Sequence, residues 1–176
     1  TLNIYYVDLG DLDERFFLGL KNLKELNILR GNITSLDRDL FRDLTSLEII
    51  TLSYNRISSL DDGIFRNMSF LTDLKISSNI ISRIGTDLLK DLVSLNKIDL
   101  SNNLLKYIPE KLFLSSNNLQ EINFTLNRVR ILETGVFANL IQLKKLNISK
   151  NLIEKIEKNA FQNLTTLDIL DLSFNR

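Results

Sequence analysis

Leu47 to Phe70 reads LEIITLSYNRISSLDDGIFRNMSF, and the spacing of its apolar residues decides the fold. With Leu47 as position one, apolar side chains stand at positions four, six and eleven (Ile50, Leu52, Ile57), an asparagine at nine (Asn55), and more apolar residues at fourteen and nineteen (Leu60, Phe65). Positions four and six alternate with more polar neighbours, the period-two pattern of a short strand with one buried face. The same 24-residue register recurs at Leu23, Leu71, Leu95, Leu119, Leu143 and Leu167, with no insertion or deletion between them. A period of this length marks a solenoid, in which one unit cannot bury its apolar face and each is covered by its neighbours.

Each column of the repeat has a physical task. The strand pairs Leu26/Ile28, Ile50/Leu52, Leu74/Ile76, Ile98/Leu100, Ile122/Phe124, Leu146/Ile148 and Leu170/Leu172 supply the dry face of a parallel sheet. After the strand the chain turns, and its backbone groups leave the ladder in need of partners. The inward asparagines Asn55, Asn79, Asn103, Asn127, Asn151 and Asn175 carry both donors and an acceptor for them. That column fails at Val7 and Gly31. On the far side Phe17, Phe41, Phe65, Leu89, Phe113, Phe137 and Phe161 form a mostly aromatic spine that fills the wide part of the core.

The strand motif, the asparagine column, the phenylalanine spine and the 24-residue length resemble the typical subtype of leucine-rich repeat found in extracellular proteins, such as Toll and Toll-like receptor ectodomains and insect immune proteins. The resemblance implies an α/β repeat class: a horseshoe solenoid with a concave parallel sheet of about eight strands and a convex side of turns and 3₁₀ pieces. It further implies a module for binding macromolecules. The expected organisation is a single domain over residues 1–176, with repeats at 1–22, 23–46, 47–70, 71–94, 95–118, 119–142, 143–166 and 167–176. Both ends read as uncapped, which suggests a segment of a larger ectodomain.

Composition excludes several classes. No run of apolar residues approaches the roughly 20 needed to span a bilayer, so no membrane contact is expected from this segment. Lysine plus arginine and aspartate plus glutamate number 22 each, a net charge of zero that disfavours nucleic acid as a partner. Neither cysteine nor histidine is present. That removes Ser–His and Cys–His nucleophiles and soft metal sites; the chain reads as a non-enzyme without cofactor or metal. The carboxylates Asp73, Asp99 and Glu121 are interleaved with Lys75 and Lys97, which cross-strand charge pairing explains.

Two places depart from the pattern. In the stretch LRGNI, Gly31 replaces the asparagine; it is expected in a backbone conformation closed to other residues, with Asn32 taking over part of the work. In KLFLSSNN, Ser116 stands where other repeats carry a large apolar residue, so the core should be thinner there.

Candidate partner-binding residues follow from strand alternation. Positions three, five, seven and usually eight should face outward, which exposes Tyr5, Tyr6, Leu29, Arg30, Ile49 and Tyr54, with Arg56 beside them. Tyrosine and arginine are enriched in binding hot spots; the competing reading is ordinary apolar surface, with Tyr6 merely covering an open end. Lys144, Lys145, Lys150, Lys155 and Lys158 form a second group that could attract an acidic glycan or nucleic acid, against the plainer reading of a solvated face. Five sequons place candidate glycans at Asn32, Asn67, Asn123, Asn147 and Asn163. Occupied Asn123 and Asn147 would mask the sheet of repeats six and seven.

The functional expectation is an extracellular protein-recognition module, secreted or part of a membrane protein's ectodomain, that binds a protein ligand or co-receptor through its concave or lateral surface in innate immunity or cell-surface recognition. The alternatives are a matrix or glycan-binding structural repeat and a cytosolic scaffold. Unpaired strand edges at either end would also invite end-to-end self-association.

Overall fold

The computed structural model describes residues Thr1–Arg176. In chain order its strands are β1 (Leu2–Tyr5), β2 (Glu25–Leu29), β3 (Ile49–Thr51), β4 (Ser59–Leu60), β5 (Asp73–Lys75), β6 (Arg83–Ile84), β7 (Lys97–Asp99), β8 (Glu121–Asn123), β9 (Ile131–Leu132), β10 (Lys145–Asn147), β11 (Lys155–Ile156) and β12 (Ile169–Asp171). Eight of them form one parallel sheet in the order β1-β2-β3-β5-β7-β8-β10-β12, one strand from each repeat. Register partners are always 24 residues apart, as in Ile50↔Leu74 and Leu74↔Ile98, so each sequence column becomes a physical row across the sheet.

The inward face follows from the alternation. Leu26, Ile50, Leu74, Ile98, Ile122 and Leu146 are buried. They join the return-side residues in one apolar cluster that runs from Leu12 to Ala160. The spine is stacked: Phe17–Phe41 and Phe41–Phe65 have ring centroids 6.0 and 5.9 Å apart, and Phe113–Phe137 and Phe137–Phe161 resume it at 5.5 and 6.1 Å. Leu89 interrupts the ring sequence and is itself fully buried.

The far side consists of turns closed by i+3→i backbone bonds, such as Leu44 N–H to Phe41 O and Leu92 N–H to Leu89 O. No helix forms there, and the convex side is built of turns, as the repeat pattern leads one to expect. In the return segments of four repeats Gly19, Gly63, Asn67, Gly135, Asn139, Asn159 and Asn163 adopt positive φ, which breaks a helical run there. Short parallel pairs, β4 with β6 and β9 with β11, tie neighbouring turns together at positions thirteen and fourteen.

Each inward asparagine clamps two coils. Asn103 Nδ2 donates to Ile76 O and Leu100 O, both at 3.1 Å, while its Oδ1 accepts the Ile81 N–H at 3.0 Å. The equivalent bonds recur at Asn79, Asn127 and Asn151. Two partners lie in the preceding repeat, so the column fastens one coil to the next as well as closing its own turn.

Gly31 corrects the expectation made for it. Its φ is not positive; its neighbours Arg30 and Asn32 take that conformation, at 56° and 54°. Glycine is required instead by proximity, since a Cβ would lie 3.0 Å from Ile28 Cγ2 and 3.3 Å from Asn55 Oδ1. Asn55 Oδ1 accepts the Gly31 N–H at 2.8 Å, so the neighbouring coil's asparagine, and not Asn32, serves this turn. Ser116 is buried, and its hydroxyl finds no partner.

Candidate functional site

The site begins with a backbone fact that recurs once per coil. Tyr6, Arg30, Tyr54, Ser78, Asn102, Leu126, Lys150 and Phe174, all at position eight, have φ between 52° and 60°. The chain leaves the sheet here and must reverse so that the next residue, the asparagine, points inward. An L-residue in this left-handed conformation costs roughly 1–2 kcal/mol. At six of the eight a bond offsets part of it: the position-eight amide donates to the next coil's position-seven carbonyl, as in Tyr6 N–H to Leu29 O and Tyr54 N–H to Ser77 O, both 3.0 Å; Arg30 lacks it. Position-eight side chains therefore stand in a row along the rim of the sheet.

At the amino-terminal end this row becomes a stack. The Arg30 guanidinium carbon lies 5.2 Å from the Tyr6 ring centroid and 5.4 Å from that of Tyr54. A cation over an aromatic face contributes about 0.5–1 kcal/mol at an exposed site. Tyr6 is 76% exposed and Tyr54 52%, so Tyr6 does not cover the end of the core. Tyr5 is exposed with its hydroxyl on Asn3 Oδ1 at 3.0 Å. Leu29 and Ile49 are half-buried and Arg56 is exposed. The structure thus gathers Tyr6, Arg30 and Tyr54 into one contact and leaves the other four outside it.

Outward alternation holds only in part. Ser53 at position seven is buried, with its hydroxyl 3.0 Å from that of Ser77. Asn27 at position five is buried on Asn3 and Glu25. That amide, followed by the Thr1 hydroxyl, holds the Glu25 carboxyl below its ordinary value. Farther along, Glu121 meets Lys97 at 3.2 Å and Lys145 at 3.9 Å, the cross-strand pairing expected of interleaved charges.

Three of the five lysines already have a partner within the chain. Lys145 faces Glu121, Lys155 binds Glu157 at 2.5 Å, and Lys150 lies 5.7 Å over the Phe174 ring. This last contact repeats the Arg30 arrangement at the other end of the rim. It was legible only by reading down position eight as a column.

Among the sequons, Asn67 and Asn163 are exposed on the return side. Asn123 and Asn147 are register partners on the sheet; each Oδ1 accepts an amide two residues on, from Thr125 and Ser149. Asn32 is half-buried. A cleft of about 330 Å³ opens on the return side between repeats five and six, over Phe113, Val136 and Leu140, far from the aromatic stack. Glu14, Asp37 and Asp39 bring carboxylate oxygens within 4.8 Å of one another, but Arg66 already pairs with Asp39 at 2.6 Å.

A parallel coil with one clamping asparagine per turn and a rim whose residues differ from coil to coil defines a repeat protein built on invariant inward columns. The chain belongs to the leucine-rich repeat family: the BspA type leucine rich repeat region matches residues 34–168 in six copies, and a second leucine rich repeat family matches residues 1–57. Comparison with curated proteins returns no match. Among solved structures, the chain is similar to mouse RP105 in its complex with MD-1, at 28% identity over 89% of this chain and a TM-score of 0.79. It is also similar to TLR13 in complex with ssRNA13 (23%, 88%, 0.66) and to Drosophila Toll in complex with Spatzle (24%, 99%, 0.59). The chain spans 25–30% of the length of these proteins. No helix of the structure is long and apolar enough to cross a membrane.

Proposed function

We propose that this chain is a protein-recognition segment of an extracellular leucine-rich repeat protein, acting in innate immunity or cell-surface recognition, and that its partner docks on the rim around Tyr6, Arg30 and Tyr54. The observation that carries this reading is the stack itself. Two aromatic rings stand in solvent around a cation, where the fold requires only the backbone. Buried aromatic and arginine side chains dominate interface energetics, and here they are already ordered before any partner arrives. The solved relatives include two in complex with proteins and one with an RNA. The balanced charge and the pairing of Lys145 and Lys155 with glutamates favour a protein for this chain.

The same reading takes residues 1–176 as one repeat domain and assigns glycans to the exposed Asn67 and Asn163. Secretion from a eukaryotic cell followed by peptide mass spectrometry should find both occupied; empty sequons throughout would remove the extracellular assignment. For the docking rim, immobilised wild-type chain and a Tyr6→Ala/Tyr54→Ala variant would be compared as baits for cell-surface and secreted proteins. A partner held by the wild type and weakened at least tenfold by the variant supports the rim. Partners retained equally by both would move the site elsewhere.

A further inference from the structure

We propose that Arg30 is the anchor for an aspartate or glutamate side chain of a protein partner, an inference that rests on the rim reading above and gives it a chemistry. The guanidinium is planar, with five N–H donors around its edge in a fork that matches a carboxylate bidentately. Its central carbon lies over the Tyr6 and Tyr54 rings, at 5.2 and 5.4 Å, and the residue is exposed with no hydrogen bond or ion pair made by its side chain, so its donors are open to solvent. Contact with two rings favours this position of the group, which lowers the side-chain freedom to be lost when a carboxylate arrives.

Three carboxylates of the first three repeats are bonded elsewhere. Glu25 receives Thr1 and Asn27, Glu48 receives Lys24, Asp8 receives the Gly10 N–H, and neither Arg30 nor Arg56 takes part in any ion pair. Residues 1–94 hold 14 acidic against 11 basic side chains, so two unpaired arginines on the rim of an acidic half are not explained by local charge balance.

A polyanion fits less well. It needs a continuous basic track, whereas the sheet beyond Arg30 alternates Asp73, Lys97, Glu121 and Lys145. Leu29, half-buried and next to Arg30 in the chain, offers an apolar neighbour for an acidic side chain on a folded or extended protein segment.

The test uses the whole 176-residue chain. A phage-displayed random dodecapeptide library is selected on it. The recovered peptides are synthesised with each acidic residue intact or changed to its amide, and binding is measured by fluorescence anisotropy to wild type, Arg30→Gln, Arg30→Lys and Tyr54→Ala. Unchanged melting temperatures confirm that the variants fold. Recovered peptides are expected to share an aspartate or glutamate. Amidation of that residue and Arg30→Gln should each weaken binding about tenfold or more, with Arg30→Lys between. Peptides that need Tyr54 but neither an acidic residue nor Arg30 would overturn the carboxylate anchor and leave the rim standing. Peptides indifferent to Tyr54→Ala as well would overturn both. Arg30-dependent binding of a heparin oligosaccharide or an RNA dodecamer, with no acidic peptide recovered, would replace the protein carboxylate by a polyanion.

Discussion

At the scale of single residues, the asparagine column shows how one side chain can hold two coils. Changing Asn103 to alanine leaves Ile76 O, Leu100 O and the Ile81 N–H without their partner inside the core. Buried groups left unpaired cost about 1–3 kcal/mol, so urea unfolding should show a loss in that range or above it. Asn175→Ala, at a half-buried position, should lose less; equal losses would contradict the role given to burial. Leu126 offers the opposite case. It is exposed at φ 58°, a conformation that asparagine tolerates better than leucine. Leu126→Asn should stabilise the chain by roughly 0.5–1 kcal/mol, read as a rise in the denaturation midpoint at unchanged slope. The strand, asparagine and phenylalanine columns could be read from sequence because a fixed period becomes a fixed pitch. The left-handed rim could not, since tyrosine, arginine, leucine, lysine and phenylalanine carry no local preference for it. Gly31 was misread for a related reason: glycine signals either positive φ or close approach, and only the position of Asn55 tells which.

At the scale of the element, the fifth repeat is the weak coil. Ser116 takes the place of a large apolar residue, and its buried hydroxyl lacks a partner. Ser116→Ala removes that unpaired group at almost no change in volume and should raise stability by about 1 kcal/mol. A measured loss would show that the hydroxyl is satisfied in solution. The small residue at this coil was visible in KLFLSSNN, whereas the two-residue pairs β4·β6 and β9·β11 were not. They are too short to leave a periodic trace, and the coil they join is set by the sheet on the other side. The Tyr6–Arg30–Tyr54 contact was half visible: its members stood out by residue type, but their grouping depends on the spacing of position eight in three dimensions.

At the scale of the whole molecule, a solenoid responds to a perturbation at its site and through its nearest neighbours. The carboxyls lowered from their usual values are unevenly placed. Asp11 is held down by the Thr34 hydroxyl and then Ser35, Asp13 by Arg15, Glu25 by Asn27 and then Thr1, and only Asp171, by Ser173, lies at the other end. A carboxyl with a lowered native pKa contributes stability above its unfolded value, and this is lost as pH falls through the native one. The first two coils should therefore loosen before the middle ones as pH drops below about 4. Hydrogen exchange by mass spectrometry at descending pH would show early deprotection around residues 8–36; uniform deprotection would contradict a local response. Asp11→Asn should make that region less sensitive to acid, because the group that titrates is gone.

The rim has a consequence for variation. Position eight holds a backbone shape that every coil repeats, while Tyr, Arg, Tyr, Ser, Asn, Leu, Lys and Phe occupy it in turn. The scaffold asks nothing of the side chain there beyond tolerance of one dihedral angle. The column therefore behaves as a line of independent letters at constant spacing, in which a new word can be written by single substitutions without re-editing the page that carries it.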